Sequence, residues 1–231
     1  MGGRGRRLGE PLVQLLLRRA SPARAAGDHD RRRHRRLPAA RVHDEGGRVS
    51  AKLDPERAAL VIVDVQEGFR KAIPGFDRIA AATATLARGA EAMDLPVLVT
   101  EQYPKGLGPT APEVAEALPA GAEPLAKTVF SAAAADGFDL GGRGQAVVCG
   151  IEAHVCVNQT VLDLLDRGIE VHVVADAVGS RSDPDRELGL AKAERSGAWL
   201  TSVEMALFEL LGTAGSDRFK AVQKLVLEHA P

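Results

Sequence analysis

The chain has 231 residues, of which 45% are hydrophobic and 26% charged. This fits one full α/β domain with an appendage and excludes a fibrous or wholly disordered protein. The best uncharged apolar run, Ala58 to Val63, stops at Asp64, far short of the roughly 18 residues of a membrane span. Aromatic residues are only 3%, so the core must be built from Ala, Val, Leu and Ile, and stacking platforms for single-stranded nucleic acid are not expected.

The formal net charge of -1 hides two differently charged parts. Residues 1–50 hold thirteen Arg, no Lys and five acids, a net +8; the remainder holds 17 basic and 26 acidic residues, a net -9. So acidic a domain does not read as a nucleic-acid binder. Two Cys make no disulfide framework and point to a reducing compartment. In residues 1–50 the block Arg31, Arg32, Arg33, Arg35 and Arg36 lies in a Gly-, Ala- and Pro-rich segment without helical or strand period. The segment reads as a disordered extension, with a mitochondrial transit peptide as the alternative, and residues 51–231 read as the folded domain. The expected location is cytoplasmic, or mitochondrial if the extension is a transit peptide.

Strand-length apolar runs recur at Ala58–Val63, Pro96–Thr100, Gln145–Cys149, Glu170–Ala175 and Ala198–Thr201, with a short strand expected in the segment Pro124 to Ser131. Helical patterns cover Asp77–Met93, Val155–Arg167, Pro184–Ser196, Ser202–Leu211 and Asp217–His229. Asp183 is placed as a cap before Pro184, and Thr201 with Glu204 as a capping box. Strands alternating with helices predict a parallel sheet covered on both faces, with ligands bound at the carboxyl ends of the strands.

Three reactive side chains fall at such ends. Asp64 follows the first strand directly, where a carboxylate with a tuned pKa serves as a general base; its ordinary alternative is a helix cap or loop acid. Lys127 lies in PLAKTVFS, where the alternative is a solvated lysine. Cys156 starts the helix after a strand in QAVVCGIEAHVCVNQTVLDLLDRG, where backbone N–H groups favour a thiolate nucleophile; the alternative is a buried structural Cys. Cys149, inside the strand, reads as an inert core residue. Together a thiol, an acid and an ammonium supply nucleophile, base and charge stabilisation. The glycines at 141, 142 and 144 precede a strand, so no dinucleotide-binding fingerprint is present, and the six His show no metal-ligand spacing in the folded part. His154, near Cys156, reads as an assisting or a packed histidine.

The ordered segments LVIVDVQEGF, VTEQYPKGLGPT, LAKTVFS, VCGIEAHVCVNQTVLDLLDRG and VVADAVGSRS resemble the isochorismatase-like cysteine hydrolases over nearly all of residues 54–229. The TEQYPKGLGPT and GIEAHVC segments look most like the subgroup of isochorismatase domain-containing proteins. The resemblance implies a three-layer α/β/α fold with a central, mainly parallel, Rossmann-like sheet. It implies a catalytic triad of Asp64, Lys127 and Cys156 and a cis peptide between Ile151 and Glu152. It also implies an oxyanion hole made by the backbone N–H groups of Glu152 and Cys156.

The implied reaction is hydrolysis of a small-molecule amide or related C–N bond through a thioester. Phe69, Gln102 and Tyr103 are the expected substrate contacts. No cofactor and no metal are expected: the region after the second strand, VTEQYPKGLGPTAPE, lacks the His of the family's metal-binding nicotinamidases. The expected partners are a small-molecule substrate and further copies of the chain, with no nucleic acid and no membrane. The alternative function is a catalytically weak relative that binds a metabolite or a protein.

Overall fold

The structure, a computed structural model, describes residues 52–229. The Arg-rich segment 1–50, with the readings attached to it, lies outside the described residues. Six parallel strands form one sheet in the order β3-β2-β1-β4-β5-β6: β1 Ala58–Val63, β2 Val97–Gln102, β3 Leu125–Lys127, β4 Gln145–Ile151, β5 Glu170–Gly179 and β6 Trp199–Thr201. The longer helices are α1 Phe76–Ala92, α2 Asn158–Asp166, α3 Asp183–Ser196, α4 Val203–Leu211 and α5 Phe219–His229.

All six residues of β1 are buried, because the strand has a neighbour on each edge and helices over each face. Its side chains divide with the pleat. Leu60 and Ile62 enter a cluster with Ile79 and Leu86 of α1, Leu207 of α4 and Val222 of α5, whereas Ala59, Val61 and Val63 enter a second cluster with Val161 and Leu164 of α2 and Ala193 of α3. This is the three-layer α/β/α arrangement. Full burial of side chains such as Leu60 and Ile62 contributes about 1.5–3 kcal/mol each. Among the described residues no helix is long and apolar enough to cross a membrane.

Several boundaries differ from the sequence reading. β2 runs on to Gln102 because Thr100, Glu101 and Gln102 pair with Leu125, Ala126 and Lys127 of β3. β5 continues to Gly179, past a register shift opposite Val148 and Gly150. Both helix caps fall one residue away from the expected ones. Ser182, not Asp183, caps α3, accepting from the Asp185 N–H at 3.3 Å, which leaves Pro184 in the first turn where its missing N–H costs nothing. Ser202, not Thr201, caps α4, accepting from the Met205 N–H at 3.2 Å. Thr201 is unavailable because it pairs with Val174 in the sheet.

The chain leaves β1 in one direction, through β2 and β3, and returns to the other side of β1 as β4. Such a reversal of strand order opens a crevice at the strand ends. The two strands are pressed together there: a Cβ on Gly150, whose φ is +122°, would lie 2.0 Å from the Val63 carbonyl oxygen. Only glycine fits this position.

Candidate active site

Asp64 is the first residue beyond β1 and takes a left-handed conformation, φ +53°, which Asp tolerates better than most residues. Its N–H donates to the Thr100 carbonyl at 3.1 Å, and its carbonyl accepts from the Gln66 N–H at 2.8 Å. The carboxylate is wholly buried. One oxygen accepts from the Thr100 hydroxyl at 2.8 Å and the other from Lys127 Nζ at 2.7 Å.

Lys127 ends β3, two strands away, and reaches across β2 to make this ion pair, in which neither side chain is exposed. Its ammonium also donates to Gln102 Oε1 at 2.7 Å and to the carbonyls of Phe130 and Val129 at 2.9 and 3.3 Å. A buried ammonium is tolerable only with such a set of oxygen partners.

Cys156 lies in a wide, π-type turn over Ala153–Val157 that precedes α2, in place of the continuous helix expected from Val155. The Glu152 carbonyl accepts from the N–H groups of both Val155 (3.0 Å) and Val157 (3.2 Å), and the Ile151–Glu152 peptide is cis. One turn of helix later, Thr160 donates its hydroxyl to the Cys156 carbonyl at 2.7 Å and accepts from the Ala132 N–H at 2.8 Å. The Cys156 turn is thereby joined to the segment that follows β3.

The surroundings of Cys156 act against a free thiolate. Burial pushes the Cys156 thiol up, and the Asp64 carboxylate pushes it further, with Lys127 pulling the other way. Burial likewise raises Asp64 above the ordinary carboxylate range, against the lowering influence of Lys127, Thr100 and Cys156. A helix start does not offset the loss of water here. Both groups are thereby biased towards their protonated forms, with the Lys127 ammonium acting against that bias at each. Cys149 is wholly buried in β4, its thiol pushed up to about 12 by burial.

Asp64, Lys127 and Cys156 are thus brought together, while the expected substrate contacts separate. Tyr103 is half-buried beside Lys127: its N–H donates to the Lys127 carbonyl at 2.9 Å, and its own carbonyl starts the turn Pro104–Leu107 by accepting from the Gly106 and Leu107 N–H groups. Gln102, by contrast, is 2% exposed and spends both ends of its amide inside the protein, accepting from Lys127 and donating to the Thr128 carbonyl at 3.1 Å. It braces Lys127 from within the protein. Phe69 is also withdrawn, packed in the core with Ile73, Phe76 and Leu107.

Sequence reasoning missed Thr100 and Gln66. The Gln66 amide donates to the carbonyls of Gln102 (3.1 Å) and Gly108 (2.7 Å) and accepts from the Gln102 N–H (2.8 Å), tying the exits of β1 and β2 together. The sequence offers only a Gln two residues after Asp64 as a signal; its burial comes from the fold. Thr160 was detectable too, since a position four residues after Cys156 shares its helix face. Among the described residues, no three His, Cys, Asp or Glu side chains are grouped as metal ligands.

Comparison with known proteins gives the family. The isochorismatase domain model matches residues 58–205. The chain belongs to the isochorismatase family. Isochorismatase domain-containing protein 2 of Macaca fascicularis is 46% identical over 180 residues, covering 77% of this chain and 86% of that one. The structure described as MAR1 ribonuclease from Caenorhabditis elegans superposes with a TM-score of 0.74 at 41% identity, covering 78% of this chain and 95% of that one. The YcaC product of Escherichia coli, described as an octameric hydrolase of unknown specificity, superposes at 0.71 with 26% identity, covering 79% and 92%.

Proposed function

We propose that this isochorismatase-family protein is a cysteine hydrolase acting on an amide or related C–N bond of a small molecule. The observation that carries the reading is the water-excluded Asp64–Lys127 pair at 2.7 Å, set beside the Cys156 thiol at the crevice where strand order reverses. Asp64 takes the thiol proton as the sulfur attacks the carbonyl carbon. The backbone N–H groups of Glu152 and Cys156 receive the oxyanion. Lys127 holds Asp64 in place and balances the charge that proton transfer redistributes. Asp64, now in its acid form, protonates the departing amine. Water then attacks the thioester, giving up a proton to Asp64, and the free thiol is restored. Tyr103 is the side chain available at the mouth.

The name of the Caenorhabditis elegans relative brings in a second reading, cleavage of RNA. The net -9 of residues 51–231 weighs against it, as does a site whose Lys127 ammonium is already committed to Asp64, Gln102 and two carbonyls. The experiment is steady-state turnover of a panel of small amides, ureido acids, nicotinamide, isochorismate and an RNA oligonucleotide by wild type and Cys156→Ala. Turnover of a small C–N substrate that Cys156→Ala loses supports the hydrolase. Turnover of RNA alone supports the second reading, and no turnover at all favours a binding role.

The octameric YcaC relative and the exposed Leu200 of β6 and Met205 and Phe208 of α4 support a homo-oligomer. Light scattering on the purified protein gives its mass; a monomer of 24.4 kDa at micromolar concentration refutes it.

A further inference from the structure

The residues after β5 are stitched to the turn that carries Cys156. Arg181 directs both its backbone N–H (3.1 Å) and its Nε–H (2.9 Å) to one oxygen of the Glu152 carboxylate, which is 2% exposed. The neighbouring Ser180, also buried, places its Oγ 3.0 Å from His154 Nδ1. Behind them α3 presses on the same turn: a Cβ on Gly189 would lie 2.6 Å from the Ala153 carbonyl oxygen, and Asn158 Nδ2 donates to the Gly189 carbonyl at 3.3 Å.

We infer that Arg181 is a positioning residue, which acts through the Glu152 carboxylate to fix the Glu152 backbone N–H where the oxyanion forms. Glu152 is gripped from two sides. Its carbonyl accepts from Val155 and Val157 and sets the turn; its side chain is held from β5 by Arg181. With the side-chain anchor gone, the Glu152 carbonyl still accepts from Val155 and Val157, but the Ile151–Glu152 peptide, which carries the Glu152 N–H, loses its fixed tilt. A donor aimed at a developing charge works only while its direction is fixed. Arg181 has a second effect on the same site. The Glu152 carboxylate disfavours the Cys156 thiolate, and the guanidinium beside it offsets that charge.

The inference rests on the hydrolase reading, and two probes separate them. Iodoacetamide alkylates Cys156 by displacement at a saturated carbon and forms no oxyanion. 4-Nitrophenyl acetate acylates it through a tetrahedral oxyanion and releases 4-nitrophenolate. Both are to be followed by intact mass in wild type, Arg181→Lys, and Glu152→Gln/Arg181→Ala, a double variant that leaves no uncompensated carboxylate beside the thiol. The double variant is expected to lose about 100-fold in acylation rate, the effect typical of one oxyanion donor, with alkylation within about threefold of wild type. Arg181→Lys, which keeps a cation on Glu152, is expected to regain most of the acylation.

Equal losses in both reactions overturn the inference, since Arg181 then acts on the thiol or on the fold; so does unchanged acylation in the double variant. Should the double variant not fold, Glu152→Gln/Arg181→Met, which keeps more of the packing volume and still removes the anchor, decides by the same ratio of rates. A wild type that neither acylates at Cys156 nor alkylates there faster than at Cys149 refutes the hydrolase reading itself, a different result from any above.

Discussion

Lys127 Nζ and the Asp64 carboxylate meet at 2.7 Å with neither side chain exposed, across an intervening strand. Removing one partner leaves the other charge buried and uncompensated, which costs about 3–5 kcal/mol. Lys127→Met is therefore expected to lower unfolding free energy by about that amount in urea titrations and to abolish Cys156 reactivity. Asp64→Asn strands the ammonium and abolishes reactivity as well. A Lys127→Met protein as stable as wild type contradicts the pairing.

The two thiols differ in what surrounds them rather than in burial alone. Burial raises both thiols, but Cys156 has the Asp64 carboxylate beside it, whereas Cys149 is wholly enclosed in β4. At neutral pH iodoacetamide is expected to label Cys156 at least tenfold faster than Cys149. Cys149 becomes reactive only on unfolding. Peptide mass mapping after timed quenching reads the ratio, and equal rates refute the assignment of Cys156 as nucleophile.

Because burial raises Asp64, the acid limb of activity must be displaced upward. A general base works when ionised, so the rate rises with pH through the folded-state pKa, which lies above the ordinary carboxylate value of about 3.9. The stability term has the opposite sense. The native state holds this proton more tightly than the unfolded chain, so the contribution is fully present below the unfolded pKa and is lost as pH rises through the folded one. Measured between about pH 4 and 8, the alkylation rate of Cys156 should climb. A rate flat with pH across that range rejects Asp64 as the proton acceptor.

Gln102 is wedged between Lys127 and the Thr128 carbonyl, so its loss should act on turnover and leave affinity alone. For whichever substrate the panel yields, Gln102→Leu is expected to lower kcat roughly tenfold or more with KM within about threefold. A large rise in KM at constant kcat restores Gln102 as a substrate contact.

Gly150 admits no side chain. A Cβ 2.0 Å from the Val63 carbonyl oxygen, at φ +122°, forces β1 and β4 apart beside Asp64 and Glu152. Gly150→Ala is expected to cost about 1–3 kcal/mol in thermal or urea unfolding, and Cys156 alkylation should slow in the same variant.

Much of this architecture was legible in the sequence because parallel strands buried on both faces write themselves as unbroken apolar runs, as in Ala58–Val63. The strand ends followed from those runs, and with them Asp64, Lys127 and Cys156. The details that failed are those decided by contacts remote in sequence. Ser202 caps α4 because Val174 claims Thr201, and β2 reaches Gln102 because β3 pairs with it. Gln102 and Phe69 sit in motifs near the site, but whether a side chain faces the crevice or the interior is set by its neighbours in space. The upward push on the Cys156 thiol is hidden from the sequence for the same reason, since desolvation depends on the whole surrounding shell.

The groups proposed to react stand at positions 64, 127 and 156, on three segments brought together by the sheet. No fragment ending before β4 contains the thiol, and none lacking β1 contains the base. Covalent labelling of Cys156 therefore serves as a clock for folding. It should recover during refolding no earlier than the pairing of β3 with β2, β2 with β1 and β1 with β4, long-range contacts that form slowly. On this reading a newly made chain has no partial site to expose: Asp64, Lys127 and Cys156 come together only when the sheet closes.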